Sequence, residues 1–294
     1  MNAPILENQT ALYSERQIVD LIRRYEPFHA TLDDGSFSVA ISRYVPMVCT
    51  AIHDGNRVRE MYKDALLVTD EERLFEEDPH TGEIARNFAI SLIVHDSRYT
   101  GDLNRTPEAC IYDEAWGKKV WRRPLSDVER NGLLAHHGSY YRIVTELLTA
   151  LVKRFGNFVF VDLHSYNYAR IAGSPPLFNM GSHYIDTMRY GELLDHLLVK
   201  MADIELPGIE NRTVCNEVFR GRGYQAEFVH LNFPGNLCYP LEIKKVFMDE
   251  RALVANPEVM EPMIRGLTET FAENGALFSE RINGMQVSIN DFYH

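Results

Sequence analysis

The feature that most constrains this chain is an alternation of helix-patterned stretches with short apolar, β-branched runs, several of which stop at a histidine. The clearest case is "RPLSDVERNGLLAHHGSYYRIVTELLTALVKRFGN" (123–157), whose apolar spacing predicts a long helix. Ser126 with Glu129 forms a capping box at its start, and Gly156-Asn157 supplies its stop. "FVFVDLHSYN" (158–167) follows directly as a strand that ends at His164. "MVCTAIH" (47–53) and "FAISLIVHDSRY" (88–99) are further expected strands, the first closing on His53. Helices are expected over about 14–25, where Ser14 can cap, over about 191–203 and over much of 257–285. "AEFVHLNF" (226–233) and "CYPLEIKKVFM" (238–248) read as extended, with Pro240 weakening the second. Such alternation predicts an α/β fold with a mixed, mostly parallel sheet flanked by helices on both faces. No repeat, low-complexity tract or linker divides the 294 residues, so a single domain over 1–294 is expected. In sheets of this kind ligands bind beyond the carboxyl ends of the strands, which is where His53 and His164 fall.

The charge balance narrows the partners. Thirty Lys and Arg against 42 Asp and Glu give a formal net charge of −12, which argues against nucleic acid and for a small-molecule substrate. The opening "MNAPILENQTALYSE" has no leader pattern, and no run approaches the ~20 apolar residues that span a bilayer, so a cytoplasmic protein without a membrane partner is expected. Cys49, Cys110, Cys215 and Cys238 stand singly, which suggests neither a disulfide framework nor a thiolate metal cage.

A metal would therefore rest on histidine and carboxylate. Two histidines closing separate strands suit a metal better than a proton relay, with a position left open for water. The third ligand is expected from the acidic run "TDEERLFEEDPHTG" (69–82), most of which reads as a solvated helix face. Glu76, Glu77 and Asp78 before Pro79 stand apart, and spacing does not choose between them. In "DSRYTGDLNR", Arg98, Asn104 and Arg105 could hold a substrate carboxylate, or Arg98 could form an ordinary ion pair with Asp96 or Asp102. Glu242 in "YPLEIKK" sits inside an apolar strand, where a carboxylate either pairs with a base such as Lys244 or does chemistry. No nucleophile elbow or HExxH helix occurs, "GRGYQA" (221–226) lacks the preceding strand of a dinucleotide site, and His136-His137 diverge on the long helix.

Taken in order, the histidine, the "ED" pair, "DLNR", "DLHS" and the late glutamate of "LEI" resemble the N-formylglutamate amidohydrolase family, over about 45–250. That family's fold resembles the zinc carboxypeptidases (phosphorylase/hydrolase-like). The resemblance implies one zinc per chain on His53, Glu77 and His164, with Arg98 polarising the scissile carbonyl. It further implies that Asn104 and Arg105 hold the substrate carboxylate and that Glu242 is the general base. The expected reaction is hydrolysis of a small anionic N-acyl amino acid, N-formyl-L-glutamate first, to formate and L-glutamate. Two departures keep the carboxylate ligand open between Glu77, Asp78, Glu60 and Asp54. Ile52-His53-Asp54-Gly55 replaces the family's Pro-His-Ser-Gly, and Asn56 stands where carboxypeptidases have glutamate. Alternatives are a hydrolase of another acylamino acid or peptide, and a metal-free carboxylate-binding protein; the oligomeric state is left open.

Overall fold

The computed structural model describes residues 11–252 and 254–294; residues 1–10, part of the opening segment read above as lacking a leader, lie outside them. The first half of the chain builds β1 (Ala11–Tyr13), α1 (Glu15–Arg23), β2 (Phe28–Leu32), β3 (Phe37–Ile41), β4 (Met47–Ala51), α2 (Glu60–Lys63), α3 (Asp70–Glu76), α4 (Thr81–Ala85) and β5 (Ile90–Val94). A small ribbon follows, β6 (Glu114–Ala115) and β7 (Lys118–Lys119), and then the long helix α5 (Asp127–Phe155). The second half adds β8 (Val159–Tyr166), β9 (Phe178–Met180), α6 (Thr187–Ala202), β10 (Thr213–Cys215), α7 (Tyr224–Asn232), β11 (Leu237–Lys244) and α8 (Pro257–Asn283).

Nine strands form one mixed sheet in the order β1-β2-β3-β5-β4-β8-β11-β9-β10. The centre, β5-β4-β8-β11, is parallel throughout, and β2-β3, β3-β5 and β9-β11 are antiparallel. This is the mostly parallel α/β sheet that the strand and helix alternation predicts. Strands β4, β5 and β8 are buried along their whole length, as strands covered on both faces must be. Gly275 of α8 approaches Met47 on one face of β4, while Gln225 of α7 bonds Thr50 on the other. The long helix starts at the expected box: Ser126 Oγ accepts from Glu129 N, and the Glu129 carboxylate accepts from Ser126 N. It ends at Gly156 with a positive φ of 85°, a backbone state that glycine adopts without strain.

Two expectations need revision. Residues 226–233 are not extended but form most of helix α7; Ala226 and Val229 are buried three apart, while Leu231 is 66% exposed. The apparent alternation of "AEFVHLNF" arises from an apolar residue left in solvent. Pro240 does lie within a strand and costs it nothing. Gly181 N donates to Pro240 O at 2.8 Å, so the missing N–H faces the side on which β9 has already ended at Met180. No helix is long and apolar enough to cross a membrane among the described residues.

Candidate active site

Strand order reverses beside β4: the chain passes from β4 to β5 on one side and returns to β8 on the other. A cavity of about 680 Å³ opens at this switch point, as open α/β sheets favour. His53 lies just past β4, His164 near the end of β8, and Glu242 opposite His164 in the parallel register of β11, so the His164 and Glu242 side chains share one face.

The two histidines converge through one carboxylate. Asp78 Oδ2 lies 3.1 Å from His164 Nδ1 and 3.3 Å from His53 Nδ1, and the two rings are 4.9 Å apart. All three residues are buried, and their candidate ligand atoms lie within 4.8 Å of one another. The outer ring nitrogens are anchored separately: His53 Nε2 to Asp102 Oδ1 at 2.7 Å, His164 Nε2 to Asp162 Oδ1 at 2.9 Å. A carboxylate behind each imidazole fixes the ring and its tautomer, the arrangement commonly found behind metal-ligating histidines. His53 Nδ1 is buried and has no hydrogen-bond partner, which is costly unless something else binds it. The donor set of two imidazoles and a carboxylate fits a divalent ion such as zinc. Burial alone would raise the Asp78 pKa, but the hydrogen bond with His164 and the closeness of the His53 ring hold its carboxyl far below the usual range. Burial lowers the His164 pKa, and Asp162 and Asp78 outweigh it and raise it.

Glu77, the carboxylate expected as ligand, is not in this group. Its Oε1 accepts from Ser97 Oγ and lies 3.7 Å from Arg73, and burial pushes its pKa up to about 7 against those two partners. Helix α3 ends at Glu76, and Glu77 with φ −78° and ψ 170° is extended, so the two adjacent carboxylates point opposite ways. Lys245 secures the turn, donating from its buried Nζ to Glu77 O at 2.6 Å, Asn167 Oδ1 at 3.0 Å and Phe75 O at 3.2 Å. Asp54 accepts from Gly82 N at 2.8 Å, and the exposed Glu60 pairs with Lys63, so neither joins the histidines.

Arg98 borders the cavity and binds Asp102 Oδ2 through Nη2 at 2.8 Å and Nε at 3.2 Å, which is the ion pair weighed above as its ordinary alternative. The same carboxylate therefore links Arg98 to His53. Asn104 places its Nδ2 3.2 Å from His164 Nε2 and its Oδ1 3.3 Å from Gln225 N. The loop beside it comes so close that a Cβ on Gly223 would lie 2.3 Å from Asn104 Oδ1. Arg105, Arg220 and Arg222 also line the cavity and make no ion pair among the described residues; the Arg105 guanidinium bonds only the Asn104 carbonyl, at 2.9 Å. Glu242 is not paired with Lys244, whose ammonium lies 4.6 Å from the Tyr168 ring centroid. Burial raises the Glu242 pKa to about 8, His164 opposing while Asp78 and Asp162 add to it.

Sequence reasoning missed Asp162, Gln225 and the anchoring role of Asp102. Asp162 was signalled by "VDLH", since residues two apart on a strand face the same way. Gln225 Nε2 donates to Asp162 Oδ1 at 2.5 Å and to Thr50 Oγ1 at 3.0 Å, contacts across more than 60 positions of chain that no local pattern encodes.

A model of the N-formylglutamate amidohydrolase family matches residues 45–235. Among solved structures, N-formylglutamate amidohydrolase from Ralstonia eutropha JMP134 is similar at 18% identity and a TM-score of 0.64, over 84% of this chain and 98% of that one. A gene product from Agrobacterium tumefaciens is similar at 18% identity and a TM-score of 0.65, over 81% of this chain and 94% of that one. At such identity the likeness to these structures speaks for the fold. A search among curated proteins finds no match.

Proposed function

This chain belongs to the N-formylglutamate amidohydrolase family, and from that premise we propose that it hydrolyses the amide bond of a small anionic N-acyl amino acid, N-formyl-L-glutamate first. The observation that carries the proposal is the buried convergence of His53, Asp78 and His164, each imidazole backed by its own carboxylate, beside Glu242 in one cavity. These three residues would hold one zinc or similar divalent ion, which when bound supplies Lewis-acid polarisation of the carbonyl and activation of water.

The chain's own residues do the rest. Arg105 meets the free carboxylate of the substrate with an unpaired guanidinium at the cavity wall, and Asn104 adds an amide donor. Fixing that carboxylate sets the scissile carbonyl against Arg98, which stabilises the negative charge that develops on the carbonyl oxygen as water adds. In its ionised form Glu242 takes a proton from the attacking water and delivers it to the amide nitrogen as the C–N bond breaks, releasing formate and glutamate. A chain of net charge −12 can still attract an anion, because three unpaired arginines dominate the local field within a Debye length of ~8 Å.

Turnover of N-formyl-L-glutamate by wild type and Glu242→Gln tests this reading. The variant is expected to lose ~10²–10⁴-fold in kcat while still binding substrate. Unchanged turnover would remove Glu242 as the base, and a wild type that binds without turnover would point to a carboxylate-binding protein.

A further inference from the structure

Arg98 is held by a carboxylate, an aromatic face and, more loosely, a backbone carbonyl: Nη1 donates to Glu76 O at 3.4 Å. Asp102 takes its Nη2 and Nε, while on the other side the guanidinium carbon lies 4.8 Å from the centroid of the Trp116 ring. Trp116 stands at the tip of the β6–β7 ribbon, where Glu114 pairs with Lys119 and Ala115 with Lys118, leaving Trp116-Gly117 as a two-residue turn. Both turn residues have positive φ, 50° and 73°. That geometry ordinarily selects Asn, Asp or Gly, and a bulky side chain in it is strained. The turn thus has a residue it does not itself favour, and such strain tends to sit where function demands it.

What the tryptophan touches is informative. Its ring packs against Tyr99 at 5.3 Å and Tyr112 at 5.8 Å between centroids, borders the cavity and stays 38% exposed. The Tyr112 hydroxyl donates to the same Asp102 oxygen that binds Arg98. Trp116, Tyr112 and Asp102 therefore surround the Arg98 guanidinium, an aromatic face on one side and a carboxylate on another. An arginine side chain is long and rotatable; a stacked indole removes alternatives and strips water from the cation.

Resting on the reading that Arg98 meets the developing oxyanion, we infer that Trp116 is a positioning residue for that arginine. The ribbon presents the indole so that the guanidinium is already aimed into the cavity when substrate arrives, and losing it slows the chemical step rather than weakening binding.

Steady-state kinetics on N-formyl-L-glutamate with the metal-loaded protein tests this, using Trp116→Ala, Trp116→Phe, Arg98→Ala and the double variant Trp116→Ala/Arg98→Ala. Trp116→Ala is expected to lower kcat ~10-fold with KM within about twofold, and Trp116→Phe, which keeps a π face, to recover most of it. Arg98→Ala is expected to lower kcat ~100-fold, and adding Trp116→Ala to it should cost nothing further. Melting temperature and metal content of the Trp116 variants are expected to match wild type. Should Trp116→Ala not fold, Trp116→Leu keeps apolar bulk without a π face and is expected to show the same kcat loss. A wild-type kcat in Trp116→Ala, or the same further loss in the Arg98→Ala background, overturns the inference alone. A wild-type kcat in Arg98→Ala overturns it together with the role given to Arg98.

Discussion

Replacing Asp102 with asparagine probes how His53 keeps its inner nitrogen available. Asp102 is fully buried, and every partner around it can donate. Its Oδ1 lies 2.7 Å from His53 Nε2 and accepts from Asn104 N at 2.7 Å, while its Oδ2 accepts from Arg98 Nη2 and Nε and from the Tyr112 hydroxyl. Burial opposes ionisation, yet Arg98 and His53 hold the carboxyl well below the usual range. An amide keeps one acceptor oxygen and turns the other into a donor, so one side must set donor against donor. With the NH2 toward Arg98, a partly buried guanidinium loses its counter-charge, a loss of ~3–5 kcal/mol for a buried pair. With the NH2 toward His53, the imidazole must accept at Nε2 and carry its proton on Nδ1, the atom the metal needs. Asp102→Asn is thus expected to weaken zinc binding ~10–100-fold if the NH2 faces His53, or to lower the stability of the metal-free protein by ~3 kcal/mol if it faces Arg98. Competition against a chromophoric chelator reads the first, and urea unfolding of metal-free protein reads the second. Zinc affinity within twofold of wild type together with unchanged stability of the metal-free protein would refute the reasoning that Asp102 holds both His53 and Arg98.

Other residues give independent tests. Arg105→Ala should raise KM for N-formyl-L-glutamate ~10-fold or more, the loss of a charge-assisted hydrogen bond of ~1.5–3 kcal/mol, with kcat little changed; a drop in kcat at constant KM would move Arg105 from binding to chemistry. His136 is buried in α5 beside Phe37, its Nδ1 unbonded, and burial pushes its pKa down to about 4, with Arg59 and His137 reinforcing and Asp96 and Asp34 opposing. The folded state therefore favours neutral His136, and stability is fully present above the unfolded value of 6.5 and lost as pH falls toward 4, by about 3 kcal/mol. His136→Gln should flatten the urea-midpoint profile across that window, and an unchanged slope would show that His136 is not responsible.

The sheet was legible where one signal served both chemistry and fold. The strands at 47, 88 and 158 are buried along their whole length and mostly apolar because both faces are covered, and their polar ends mark the carboxyl edge where His53 and His164 are found. Capping residues Ser14 and Ser126 announced α1 and α5, since their side chains accept from the third backbone N–H of each helix. Helix α7 was not legible, because its buried face is short and its exposed Leu231 imitates a strand. The choice between Glu77 and Asp78 was equally hidden. Adjacent carboxylates at a helix end diverge, and which one turns inward is set by Lys245 and Ser97, 168 and 20 positions away. Asp162 was within reach of a period-two reading, whereas Gln225 depends on α7 docking over β8.

Metal content per chain, measured with N-formyl-L-glutamate hydrolysis on wild type, His53→Ala, Asp78→Ala and Glu77→Ala, tests the central claim most directly. The account predicts about one equivalent of zinc in wild type and in Glu77→Ala, with metal and turnover lost together in His53→Ala and Asp78→Ala. Wild type that takes up no metal when zinc is offered, or Asp78→Ala that keeps both zinc and turnover, would contradict it.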